Sequence, residues 1–230
     1  MLVCFWSPKG GSGTSVVAAA AALVVARESA ARLADLTGDL PAVLGLANEP
    51  EPGLRDWLCV GPKAPADALD RLGIEIGPRL SLLPAGTVAL DTVGPESGAA
   101  LAVALGADGR PTMCDAGRLD HPALDALAEV ADASVIVVRG CYLALRRAVH
   151  HDALRYTTGT VLIDEHGRSL GARDVEDVLG IPVLAAIEAR TATARAVDAG
   201  VLATRMPDAL ARPMRHALVR IGCIDSERAA

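Results

Sequence analysis

The segment Pro8-Lys9-Gly10-Gly11-Ser12-Gly13-Thr14-Ser15 constrains this chain more than any other. It follows the apolar run Leu2 to Trp6, which reads as a buried strand, and precedes Ser15 to Ser29, which reads as a helix. A glycine-rich turn in that context has a physical use. Glycines let consecutive backbone N–H groups point at one anion, and the helix that follows adds the positive end of its dipole. Ser15, at the helix start, stands where a hydroxyl meets a phosphate-bound Mg²⁺. The competing reading is a strand-to-helix turn that binds nothing.

The rest of the chain repeats the strand-then-helix pattern. Further strands are expected at Arg32 to Asp35, Leu80 to Leu83, Thr112 to Asp115, Ser134 to Val138, Thr160 to Ile163 and Val183 to Ile187. Helices are expected at Pro65 to Leu72, His121 to Val130, Cys141 to Arg155, Ala172 to Leu179, Ala192 to Ala199 and Pro207 to Ile221. Runs of Val, Ile and Leu in the strands suit a sheet covered on both faces. The expected fold is therefore α/β: a single doubly wound, mainly parallel sheet with helices on both faces, occupying residues 1–230 as one domain. The softest stretch is Asp91 to Pro111, where glycines flank a short Ala-rich helix, so it reads as a mobile insertion or a linker.

Aromatic residues make up only 2% of the chain, so the core must be built from small and medium aliphatic side chains. The net charge of −6 disfavours extended binding to nucleic acid or anionic lipid. The five cysteines are scattered without a C-x-x-C pair and read as small hydrophobes in a reducing compartment. No signal peptide or membrane span is evident, which points to the cytoplasm.

Lysine occurs only at Lys9 and Lys63, so a lysine inside a motif is not compositional noise. With Lys9, Gly10, Gly11, Gly13 and Ser15 in place, the segment resembles the deviant Walker A box of the MinD/ParA family, K-G-G-x-G-K-[ST]. The resemblance implies a P-loop nucleotide-binding fold, ATP and Mg²⁺ as cofactors, and Gly10, Gly11, Ser12, Gly13, Thr14 and Ser15 as the phosphate loop. It implies that Lys9 is the lysine that crosses a nucleotide-sandwich homodimer to the opposite phosphates. The mismatch is Thr14, which stands where the family has the lysine of the β- and γ-phosphates. A charge pair near a protein surface is worth roughly 4 kcal/mol before desolvation. Losing it should weaken ATP binding by about 2 kcal/mol, or ~30-fold, and slow phosphoryl transfer further.

Asp35-Leu36-Thr37-Gly38-Asp39 resembles the family's D-x-D switch, whose second Asp orients the attacking water. Without gaps that position is Thr37, leaving Asp39 as the catalytic substitute; the alternative is that Asp35 and Asp39 cap the turn and the next short helix. Asp115, ending the run Thr112 to Asp115, matches a Walker B carboxylate that holds Mg²⁺ together with Ser15. Asp164 and the segment Ile187 to Arg190 fall where the family contacts the base, without its signatures. Gly38-Asp39-Leu40 followed by Leu44-Gly45-Leu46 is similar to the CpaE/TadZ branch, which positions pilus and secretion machinery.

Leu210, Met214, Leu218 and Ile221 form an apolar helical stripe flanked by Arg212, Arg215, His216 and Arg220. Packing on the sheet is the preferred reading; peripheral contact with the inner face of a membrane is the alternative. The resemblance implies a protein that binds nucleotide weakly or not at all and acts in positioning or assembly of a pilus/secretion, division or partition machine. Two alternatives stand beside it. One is a working dimeric ATPase using Lys9 in trans and Asp39; the other is a DNA-partitioning ATPase with Arg205, Arg212, Arg215 and Arg220 on phosphates.

Overall fold

A computed structural model describes residues 1–65 and 67–226. Eight strands form one sheet: β1 Leu2–Trp6, β2 Ala31–Asp35, β3 Ile74–Gly77, β4 Leu80–Leu83, β5 Thr112–Asp115, β6 Ala133–Arg139, β7 Gly159–Asp164 and β8 Val183–Glu188. The helices are α1 Thr14–Val25, α2 Leu40–Leu44, α3 Leu54–Val60, α4 Ala68–Leu72, α5 Pro95–Gly106, α6 Pro122–Val130, α7 Tyr142–Val149, α8 Ala172–Leu179, α9 Thr191–Asp198 and α10 Asp208–Arg220. The spatial order is β3-β4-β2-β5-β1-β6-β7-β8. Every pairing is parallel except the β3–β4 edge hairpin.

Alternation within each strand sends side chains to two cores. Val3 and Phe5 of β1 join α1 and α10 on one face, while Leu2, Cys4 and Trp6 point to the face of α3, α5 and α6. Burial on both faces explains why the strands read as unbroken apolar runs. In α1 the residues Ala18 to Ala22 are all fully buried. Five consecutive alanines leave no side chain to hold the helix off the sheet, so α1 lies close against β1 and β5. A larger residue at Ala20 would have to displace packed neighbours.

The stretch Asp91 to Pro111 is not a linker. It contains α5, whose Leu101 and Leu105 are fully buried, and Gly98 lies so near α6 that a Cβ there would sit 1.7 Å from the Ala123 carbonyl oxygen. Three other expectations are corrected. Helices α2 and α3 and strand β3 are additional elements of four to seven residues, α3 burying Leu54, Trp57 and Leu58. The expected helix Cys141 to Arg155 stops at Val149, because His151 caps a separate 3₁₀ turn by accepting the Ala153 N–H. Of the expected helix Pro65 to Leu72, α4 forms from Ala68 and Ala66 lies outside the described residues.

Helix α10 buries Leu210, Met214 and Leu218 in the core. Its stripe is therefore used in packing on α1 and β8. Arg215 pairs with Glu28, Arg220 donates to the Val183 carbonyl, and Arg212 faces Asp208 at 3.6 Å. Among the described residues no helix is long and apolar enough to cross a membrane. Cys4 and Cys114 are buried cross-strand neighbours, whereas Cys59 is exposed.

Candidate functional site

The strand order fixes where a ligand can sit. From β1 the chain crosses over β5 to reach β2, while β6, β7 and β8 build outward on the other side, so the order reverses at β1. Ligands of doubly wound sheets bind outside the carboxyl ends of the strands at such a switch point. The segment Ser7–Ser15 leaves β1 there, tied to β5 by Ser7 N–H donating to the Gly117 carbonyl at 2.8 Å.

The loop is built to leave its amides free. Gly11 and Gly13 have φ of 74° and 92°, a left-handed backbone that glycine adopts without strain. The Ser7 and Ser12 hydroxyls both donate to the Lys9 carbonyl, at 2.9 and 3.0 Å, and hold the turn. The first helical bond runs from Val17 N–H to the Gly13 carbonyl, and Gly10 through Val16 donate no backbone hydrogen bond to the chain. Those unpaired N–H groups at the start of α1 form a concave anion nest. They line a cleft of about 930 Å³ with Thr37, Asp39, Arg55, Asp115 and Arg118.

Thr14 is buried at the first position of α1 and lines this cleft, where it presents a neutral side chain. Lys9 does not line the cleft of its own chain. Ile163 of β7 approaches the Gly13 position to 4.0 Å. Asp164 is exposed beyond it, while Glu165 pairs with Arg139 and Arg168, and Glu188 with Arg190. None of these acidic residues lines the cleft.

At the other wall, Asp35 and Asp115 are direct cross-strand partners and both are fully buried. Asp35 accepts the backbone N–H groups of Thr37, Gly38 and Leu40 at 2.9, 2.8 and 3.1 Å, so it caps the turn into α2. Asp39 makes no side-chain cap and stands exposed on the cleft rim. The Thr37 hydroxyl lies 3.0 Å from Asp35 Oδ1 and 3.1 Å from Asp115 Oδ2. It carries one hydrogen and can satisfy only one of these oxygens. Burial pushes Asp115 up to about 6, with the Ser15 hydroxyl pulling it back and the charge of Asp35 adding to the rise. Burial also raises Asp35, against its backbone hydrogen bonds.

This donor set suits a hard divalent cation. The buried Asp115 carboxylate and the Ser15 hydroxyl offer only oxygens, and Mg²⁺ typically takes one or two carboxylates, keeping water and phosphate as its other ligands. A cation would also relieve the cost of the buried charge. Ser15 and Asp115 lie together at the cleft, the Ser15 hydroxyl bonding the Asp115 carboxyl, while Asp35 stands behind them and does not line it.

Sequence reasoning missed Arg55. It reaches the cleft from α3, and its Nη2 donates to the Leu36 and Thr37 carbonyls at 3.1 Å each. No local pattern marks it, since its role depends on how α3 docks against the end of β2. His121 was not assigned a site role either: it caps α6 through Nδ1, which accepts the Ala123 N–H, so its Nε2–H donates to the Leu90 carbonyl.

No protein-family model and no curated protein sequence matches the chain. Solved structures do. The chain is similar to a ParA family ATPase from Chlorobium tepidum (TM-score 0.76, 22% identity, 94% of this chain and 98% of that one). It is similar to the septum site-determining protein MinD of Pyrococcus horikoshii in complex with Mg-ADP (0.76, 18%, 96% and 95%). It is also similar to a chain of the Aquifex aeolicus MinC:MinD cell division complex (0.75, 19%, 96% and 95%). At these identities the likeness is one of fold. The single, mainly parallel eight-stranded sheet is that of the MinD/ParA P-loop proteins.

Proposed function

We propose that this chain is a MinD/ParA-type protein that binds Mg-nucleotide weakly in the Gly10–Ser15 loop and turns it over slowly. On this reading it works as a homodimer in positioning or assembly of a pilus/secretion, division or partition machine, in the manner of the CpaE/TadZ branch. One observation carries the reading: the amide nest and the Asp35–Asp115 pair are retained, yet the position for the phosphate lysine holds buried, neutral Thr14. Backbone N–H groups and Mg²⁺ still attract phosphate, so affinity falls without vanishing. Thr37, held between two carboxylates, is not free to orient water. The fold likeness to a MinD solved with Mg-ADP and to one solved with MinC supports a nucleotide ligand and a protein partner.

A second reading is favoured by Asp39, whose carboxylate lines the cleft and is not spent on capping. In that reading two chains form a working ATPase, with Lys9 supplied in trans and Asp39 positioning water. Calorimetric titration with ATP, ADP and GTP in the presence of Mg²⁺ tests nucleotide binding itself. Turnover that rises with protein concentration and vanishes in Lys9→Ala would select the second reading.

A further inference from the structure

The cleft holds one cation that neither reading uses. Arg55 lines it from α3, and its charge has no carboxylate partner among the described residues. Arg118, the other cleft-lining arginine, is instead turned onto Asp120. A guanidinium carries five N–H donors. The hydrogen bonds of Arg55 run from Nη2 to two neutral carbonyls, and its buried Nε has no partner. A buried donor without an acceptor is uncommon and calls for an explanation. No ligand oxygen in the cleft reaches that Nε, but Nη1 makes no hydrogen bond among the described residues and remains for one.

The position of the guanidinium narrows the ligand. Ser15 and Asp115 would hold a divalent cation at the β5 side of the cleft, and the terminal phosphates of a nucleotide would lie toward it. Thr37 connects Asp115 directly to the segment that Arg55 grips, through a 3.1 Å contact to Asp115 Oδ2 and a 3.1 Å bond from Arg55 to its own carbonyl. Arg55 therefore stands on the terminal-phosphate side of the cleft, away from β7. With Nη2 bound to two carbonyls and Nε buried, Nη1 is the group left to meet a phosphoryl oxygen, in a charge-assisted hydrogen bond.

We propose that Arg55 is a same-chain ligand of the terminal phosphate of a nucleoside triphosphate, supplying the positive charge that Thr14 does not. The proposal rests on the nucleotide-binding reading above. It has a mechanical consequence. The same guanidinium holds the Leu36 and Thr37 carbonyls, so a triphosphate that engages it also fixes the segment between β2 and α2, whereas a diphosphate leaves that segment as it was.

The test is calorimetry of Mg·ATP and Mg·ADP with wild type, Arg55→Gln and the Arg55→Gln/Thr14→Lys double variant. Arg55→Gln should weaken ATP binding at least ~10-fold, the scale of a lost charge-assisted pair, and ADP binding less than about threefold. The lysine in the double variant should restore ATP affinity. Unchanged ATP affinity in Arg55→Gln overturns the proposal and leaves the nucleotide reading intact. Equal weakening of ATP and ADP also overturns it, making Arg55 only a brace for the loop. Failure of wild type to bind either nucleotide overturns the nucleotide reading itself. Should Arg55→Gln not fold, hydrogen exchange on wild type decides: ATP should slow exchange at Thr37 and Gly38 and ADP should not. Equal protection by the two nucleotides would refute the assignment.

Discussion

Replacing Asp115 by Asn examines the buried carboxylate from which the cation site is inferred. The amide can keep the geometry: its oxygen accepts the Gly117 N–H that Asp115 now takes at 3.1 Å, and its NH₂ donates to the Thr37 hydroxyl, which still donates to Asp35. What changes is the charge. A carboxyl whose folded value is about 6 against an ordinary 3.8 binds more protons folded than unfolded between those values. Its contribution to stability therefore falls as pH rises from about 4 to about 6 and is flat above. The full penalty is about 3 kcal/mol. Integrated over the window, wild type should lose about 2 kcal/mol relative to Asp115→Asn between pH 4.5 and pH 7.5, other titrations cancelling to first order in the comparison. Urea denaturation of both proteins at the two pH values, without nucleotide or Mg²⁺, measures this. A stability difference between the two proteins that is the same at both pH values would refute the reasoning, because Asp115 would then carry no burial penalty for a cation to relieve.

Three further outcomes are expected. Lys9→Ala should weaken ATP-dependent dimerisation in sedimentation while leaving stability within ~0.5 kcal/mol, since a lysine outside the core contributes little to folding. Steady-state hydrolysis should be on the order of 1 s⁻¹ or less against an enzyme median of ~10 s⁻¹, and a value at the median would sink the slow-turnover reading. Gly98→Ala should destabilise by about 2 kcal/mol or more in denaturant, because its Cβ would meet the Ala123 carbonyl of α6 at 1.7 Å. Gly106→Ala, with nothing within 4 Å, is the neutral control.

Much of the fold was legible because most of the parallel strands are buried on both faces and read as apolar runs. The run Ser134 to Val138 is an example, with Val135 and Val137 in one core and Ile136 and Val138 in the other. The glycine-rich loop was legible because it is local: strand, glycines and helix start lie within one stretch of sequence. The site beyond the loop was harder to read. Asp35 looked like a turn cap, which it is, but its pairing with Asp115 follows from strand register across 80 residues of chain. Arg55 belongs to a seven-residue helix whose pattern marks only the buried Leu54, Trp57 and Leu58, and docking of α3 is what brings Arg55 to the segment after β2. The Asp91 to Pro111 stretch misled through its glycines, of which Gly98 serves close helix packing rather than flexibility.

The central claim is that the Gly10–Ser15 nest still takes phosphate and is weakened by one missing charge at Thr14. Calorimetric comparison of wild type with Thr14→Lys, titrated with Mg·ATP, addresses it directly. The lysine places a point charge at the start of α1 inside the cleft, and ATP affinity should tighten roughly tenfold or more. Identical affinities, or no binding by either protein at millimolar ATP, would show that the loop is a structural turn and not a phosphate site.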